Sequence, residues 1–195
     1  MKVRIIAATK HPKEAISLAA GTCYGKEDFS EKRIETCFKS KHMSVFEHAS
    51  VTFKIEGISR ACSHQLVRHR LASFCQVSQS YCRYDLTGDD WYVIPPAFDD
   101  NEQYYRKCMR DAASHYNVNI RGGMRPEDAR YMLPEATKTT VTMTVNLREL
   151  FHFLDLRTDE KAQWEIRGMA NEIISVLKED KEYAWLIDLW LWEGK

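Results

Sequence analysis

Between residues 51 and 57 apolar and polar side chains alternate, Val51, Phe53 and Ile55 against Thr52, Lys54 and Glu56. A period of two puts the first set on one side of an extended chain, so this segment is predicted to be a strand with one buried face. TTVTMTVN, residues 139–146, is rich in β-branched residues and reads as a second strand. Residues 2–8 read as a short strand, and WYVIP (91–95) is a strand candidate closed by Pro95 and Pro96. Elsewhere the spacing is helical. Pro12 can open a helix over 12–20 that Gly21 and Gly25 end, and another occupies 30–40. Gly57 and Ser59 lead into a helix over about 60–70, a polar helix fills 99–119 up to Gly122-Gly123, and a shorter one opens at Pro126, carries Arg130 and stops at Pro134. Leu147, Leu150, Phe151 and Leu154 share one helix face, with Arg148, His152 and Asp155 on another. Thr158 or Asp159 can cap the next helix, which buries Ile166, Met169, Ala170, Ile173 and Leu177. The final apolar segment, YAWLIDLWLW, is either core or a surface for another subunit. Long helices mixed with separated strands predict an α+β fold, a mixed, partly antiparallel central sheet flanked by long helices.

Composition narrows the class. A chain of 195 residues suits one good-sized core, so residues 1–195 are expected to form a single domain. Lys+Arg and Asp+Glu both number 28, and the zero formal charge argues against a protein that coats nucleic acid. No apolar run is long enough to span a bilayer, and MKVRIIAATKHPKEA lacks the apolar region of a signal peptide. A cytoplasmic setting without membrane or polymer partners is the expectation. The cysteines, Cys23, Cys37, Cys62, Cys75, Cys82 and Cys108, contain no CxxC pair and match no zinc spacing, so they are expected to be reduced thiols. Cys75 and Cys82 stand near a run of cations, which leaves a reactive thiol as the lesser alternative.

Three stretches carry candidate chemistry. In RHRLASFCQVSQSYCRY (68–84) a helix would deliver Arg68, His69 and Arg70 to a run dense in Ser and Gln. An arginine fork suits a phosphate or a uracil-like imide, and the alternative is a surface turn with stray charges. In TVNLRELFHFLDLRTDEKAQWE (144–165) Arg148 and His152 lie four apart, and Arg157 falls in the break before the next helix. A cation at a helix N-terminus is electrostatically misplaced, so Arg157 either waits for an anion or pairs with Asp155 or Glu160. In HMSVFEH (42–48) His42, Ser44, Glu47 and His48 could hold a metal, but polar residues at a strand edge are the better reading, and no metal site is assigned.

Together RHRLASFCQVS, QLVRHR, ARYMLP, TVN-R and LR-D–AQWE resemble, in order, the flavin-dependent thymidylate synthase family, the thymidylate synthase complementing protein fold. The resemblance runs from about residue 15 to 178 and implies a role for each matched position. Ser44, with His42 and Glu47, would line the flavin site. Arg68, His69, Arg70 and Leu71 match the flavin signature, with Gln76 beside it, and Asn146, Arg148 and His152 the second flavin-contacting segment; His152 stands where an Asn is often found. Gln65, Arg68, Gln76, Ser78, Gln79, Ser80 and Arg130 match nucleotide contacts, and Arg157 the arginine that polarises the uracil ring and favours loss of its N3 proton. One position departs: the family usually reads Ser-x-Arg-Tyr where this chain reads Ser78-Gln79-Ser80-Tyr81. Ser80 thus replaces an arginine that grips the nucleotide phosphate. Arg83 could substitute, or the change marks weaker binding, another substrate or an engineered chain.

The resemblance implies reductive methylation of dUMP to dTMP, with FAD as cofactor, NADPH as reductant, methylenetetrahydrofolate as carbon donor, and a homotetramer with shared active sites. The departure at Ser80 leaves open a methylase or hydroxymethylase of UMP or dCMP. A non-catalytic nucleotide- or RNA-binding module is the alternative of another class.

Overall fold

The computed structural model describes residues 1–192; residues 193–195, which the single-domain expectation included, lie outside the described residues. Four strands form one sheet in the order β1-β2-β4-β3: β1 (Lys2–Ala8), β2 (Ser50–Ser59), β3 (Ser73–Gln76) and β4 (Lys138–Asn146). Every pairing is antiparallel, so the sheet expected to be mixed has no parallel pair among the described residues. Its neighbours are joined by connections that reverse direction, and no helix crosses over between parallel strands.

The central pair runs from Ser50 opposite Asn146 to Ser59 opposite Lys138. Val51, Phe53, Ile55, Val141, Met143 and Val145 alternate inward as the period of two requires, and all are buried. The other face is threonine-rich, and Thr52 and Thr144 hydrogen-bond across it at 3.0 Å. The register shifts between Glu56 and Ile58. Gly57 sits there at φ +75, a conformation that side chains rarely adopt.

Helices surround the sheet. They are α1 (Pro12–Thr22), α2 (Glu31–Lys39), α3 (Arg60–Leu66), α4 (Glu102–Arg121), α5 (Pro126–Ala129), α6 (Leu147–Arg157), α7 (Trp164–Glu179) and α8 (Ala184–Leu191). Most of them pack on its apolar face, with α4 and α5 in a separate cluster. The apolar tail is mostly core: Leu186, Ile187 and Trp190 are buried with the sheet and α7. Tyr183 ties this end of the chain to its beginning, donating its hydroxyl to the Thr9 carbonyl at 2.8 Å. A smaller cluster of Trp91, Tyr92, Tyr105, Met109 and Tyr116 seats α4. The helix predicted at 99–119 begins at Glu102, after a 3-10 stretch over Pro96–Asn101.

Two local readings change. Trp91–Pro95 is no strand; Tyr92 makes a single bridge to Thr137. Pro95 and Pro96 have no amide hydrogen to extend the ladder. Conversely Ser73–Gln76, read as part of a polar stretch, is the edge strand β3. Four residues exposed on alternate sides carry no apolar signature of their own.

Candidate functional site

The site is built by the turn after α3 and by one face of α6. Ser59 caps α3, its hydroxyl accepting from the Cys62 amide at 3.0 Å. The helix stops at Leu66, so Arg68, His69 and Arg70 lie in a turn and not on the helix expected to deliver them. His69 N–H donates to the Leu66 carbonyl at 3.1 Å and Ala72 N–H to the His69 carbonyl at 3.1 Å. This turn points Arg68 and Arg70 outward and buries His69, which is 5% exposed.

β4 runs directly into α6, where Asn146 is the cap: its Oδ1 accepts from the Glu149 amide at 2.9 Å. The residue read as a flavin contact therefore also starts the helix. Asn146→Ala should lower stability by about 1 kcal/mol, read as a lowered melting temperature at fixed protein concentration.

Glu149, Phe153 and Arg157 succeed one another at four-residue spacing and meet His69. The His69 ring packs edge-on to Phe153 at 5.0 Å. His69 Nδ1 is 3.0 Å from Glu149 Oε1, with both side chains buried. On the other side Arg157 Nε donates to His69 Nε2 at 3.0 Å. A guanidinium can only donate, so Nε2 accepts and the ring is neutral with its proton on Nδ1, donated to Glu149. Burial, the largest influence, holds the His69 pKa below its usual value, Arg157 pushes the same way, and the Glu149 hydrogen bond opposes.

Arg157 is not in a break. It is the last residue of α6, and a cation there is favoured by the partial negative charge of the helix C-terminus. Neither expected partner holds it: Asp155 accepts instead from Trp190 Nε1 at 2.8 Å. Thr158 closes α6, and Gln163 is the cap of α7, its Oε1 accepting from the Glu165 and Ile166 amides.

Several of the candidates line three open cavities. Arg68, His69, Arg70, Leu71, His152 and Arg157 line one of about 340 Å³. His42, Ser44 and Arg148 line a second of about 350 Å³. Glu47 lies next to it and fixes Arg148 through an ion pair at 2.5 Å. Gln79 and Arg130 line a third of about 310 Å³, together with Arg60 and His64, which the sequence reading passed over. Ser78 and Ser80 sit in the turn beside Gln79, with Ser80 N–H donating to Ser78 Oγ at 3.1 Å. Arg83, the proposed substitute, is exposed and does not line this cavity. Gln65 is half-buried on α3. Gln76 is committed within the chain, its Nε2 donating to Ser63 Oγ at 2.8 Å and Thr139 Oγ1 at 3.2 Å.

His69, Glu149 and His152 could gather ligand atoms within 4.8 Å of one another. The guanidinium of Arg157 on His69 Nε2 opposes a cation there. The stretch His42–His48 forms no such group among the described residues. Cys62 is disfavoured as a nucleophile, whereas Cys75 and Cys82, the thiols near the cations, are exposed. The buried Cys62 thiol is pushed up to about 12, chiefly by burial, with Glu165 adding to the shift and Arg157 opposing it.

The Thymidylate synthase complementing protein family model matches residues 4–180. A flavin-dependent thymidylate synthase of Geobacter sulfurreducens is 42% identical over 193 residues, covering 91% of this chain and 82% of the relative. One from Pyrococcus furiosus is 42% identical over 185 residues, covering 87% and 76%. Among solved structures, the flavin-dependent thymidylate synthase ThyX of Helicobacter pylori complexed with FAD and dUMP superposes with a TM-score of 0.78 at 25% identity, covering 94% of this chain and 97% of that one. A UMP/dUMP methylase, PolB of Streptomyces cacaoi, shares the fold with a TM-score of 0.79 at 24% identity, covering 91% and 90%. With its motifs in order, its fold shared and its relatives matched along most of their length, the chain belongs to the thymidylate synthase complementing protein family.

Proposed function

We propose that this chain is a flavin-dependent thymidylate synthase, a single domain that methylates dUMP to dTMP with methylenetetrahydrofolate as carbon donor, NADPH as reductant and FAD as cofactor. The observation that carries the reading is the bond between Arg157 Nε and His69 Nε2, 3.0 Å long across 88 positions of sequence. It brings the Arg68–Arg70 turn and the end of α6 into one cationic cavity, as the family chemistry requires. Relatives bearing that activity, and a solved structure holding FAD and dUMP, support it.

When bound, FAD supplies the redox chemistry and relays the one-carbon unit. The chain's own part is binding and electrostatics. Arg68, Arg70, Arg148 and the donors of Ser44 and His42 suit an anionic, oxygen-rich cofactor. Arg157, its Nε held by a neutral imidazole, has its terminal nitrogens for the uracil carbonyl oxygens. There its charge favours departure of the N3 proton and stabilises the anionic ring. Cys62 has no part as a nucleophile. Arg60 and Arg130 beside Gln79 keep two cations near the place where the usual arginine gives way to Ser80, so a phosphate still meets positive charge.

Each cavity is open, and none has room to enclose a dinucleotide alone. Leu71 and Leu156 at the first, and Tyr131 beside Arg130, are 69%, 48% and 79% exposed. Large apolar side chains exposed around cationic cavities suit a partner surface, so we read the assembly as a homotetramer with sites completed between subunits. No described helix is long and apolar enough to cross a membrane, and we place the enzyme in the cytoplasm.

Purified protein should bind FAD stoichiometrically, and its oxidised visible band should bleach with NADPH and return when dUMP and methylenetetrahydrofolate follow. Tritium release from the 5-position should be fastest for dUMP among dUMP, UMP and dCMP. Dominant UMP or dCMP turnover would transfer the reading to another pyrimidine nucleotide, and a colourless protein without flavin affinity would remove it.

A further inference from the structure

Glu149 has no role in the reading above, yet its position is unusual. By the helical period it lies about 160° round α6 from Leu147, away from the apolar stripe of Leu147, Leu150, Phe151 and Leu154. It should be in water. Instead it is 5% exposed, and its Oε1 meets the ring of His69. Burying a carboxylate is costly unless its hydrogen bonds are made. Here the helix supplies no partner for it; the imidazole does.

We propose that Glu149 is a positioning residue for Arg157, acting through His69. The Glu149 carboxylate holds the His69 proton on Nδ1, which leaves Nε2 as an acceptor for Arg157 Nε–H. Without that acceptor the ring could carry its proton on Nε2 and would turn a donor toward a guanidinium that can only donate. The Glu149–His69–Arg157 chain thus sets both the tautomer of one residue and the direction of the next. Phe153, between its two α6 members, and the turn holding His69 at Leu66 leave the ring little freedom to turn. The groups that face His69 are Glu149, His152 and Arg157 of α6, with Arg68 and Arg70 on its own turn. Four of these five are cations or can become so, and Glu149 is the sole anion among them. The inference rests on the catalytic role read for Arg157, but the tautomer it requires belongs to the free protein and is open to test without substrate.

The test has two arms. Nitrogen-15 NMR of the unliganded wild-type protein should show His69 neutral at pH 7.5 with its proton on Nδ1; a resting Nε2–H tautomer overturns the proposal, whatever the substrate proves to be. In the second arm Glu149→Gln keeps the shape of the side chain, removes its charge and replaces one acceptor oxygen by an NH2 that can turn a donor toward Nδ1 and draw the ring proton to Nε2. The variant's melting temperature should stay near that of wild type, while kcat falls about 10- to 100-fold, by analogy with the loss of the carboxylate that orients a metal-bound histidine. KM for dUMP should change little, since the interaction lost is one made in the transition state. The acid limb of the kcat profile should move to lower pH, because the group that favours protonated His69 has gone. Unchanged kcat with an intact Nδ1–H resonance in wild type would mean that the chain of hydrogen bonds is structural only, and would overturn the proposal. If wild type shows no activity on any pyrimidine nucleotide, the functional reading fails, and the first arm still decides the tautomer.

Discussion

Replacing Arg157 by alanine should cut dUMP turnover by about 10²–10³-fold, the loss usual when one donor to a developing negative charge is removed. FAD binding should persist, because Arg68, Arg70 and Arg148 remain. The readout is the rate of flavin reoxidation with and without dUMP: the acceleration that nucleotide brings should vanish, and the slow background reaction with oxygen should not. Arg157→Lys should rescue little. An ammonium is a point charge without the planar fork, and it cannot donate to His69 from the position of Nε while presenting two further nitrogens to the ring. Turnover near the wild-type rate in either variant would remove the role given to this residue.

The second large effect is on stability. Glu165, at the first turn of α7, is 2% exposed and accepts from Ser59 N–H at 2.7 Å and Ser59 hydroxyl at 2.5 Å. That hydroxyl is also the cap of α3. Glu165→Ala takes away both acceptors and leaves a buried amide hydrogen unpaired. Hydrogen bonds to charged groups contribute about 1.5–3 kcal/mol each, so a net loss of about 3–4 kcal/mol is expected. For a chain of this size that lowers the melting temperature by roughly 6–16 °C. Scans should be run at one protein concentration, since association raises apparent stability. A shift corresponding to less than about 1 kcal/mol would contradict this account. The disturbance should also reach the site, because the helix that Ser59 begins ends at the turn bearing His69.

How much of this was visible in the chain depends on whether a residue's neighbours in sequence are also its neighbours in space. β2 and β4 declare themselves, since Val51, Phe53 and Ile55 or Val141, Met143 and Val145 alternate against polar partners and the period survives folding. β3 does not, because a short edge strand is stabilised by its neighbour's ladder and not by its own pattern. The motif residues Arg68–Arg70 and Arg157 are legible through resemblance, but their surroundings are not: the length of α3 and the place of Arg157 at the end of α6 are decided by caps. Glu149 and Glu165 look like ordinary surface acids on amphipathic helices. What buries them are His69 and Ser59, 80 and 106 positions away. One trace was available, the spacing of Glu149, Phe153 and Arg157, which marks a second face on α6 with an aromatic residue at its centre. Arg60 left no such trace, since its relation to Gln79 and Arg130 exists only once β4 has formed.

The pairing at the heart of the sheet also dictates how the chain must assemble. Thr52 and Thr144, hydrogen-bonded across β2 and β4, are separated by 92 positions, and Tyr183 closes on Thr9 across 174. Loops of that length must close before the contacts they permit give anything back, so folding is expected to be slow relative to helical chains of similar size. During synthesis β1 and β2 leave the ribosome long before the strand that covers their open edge. The nascent chain therefore passes through a stage in which an apolar hairpin-like pair stands uncapped, and that interval is when it most needs protection from its neighbours.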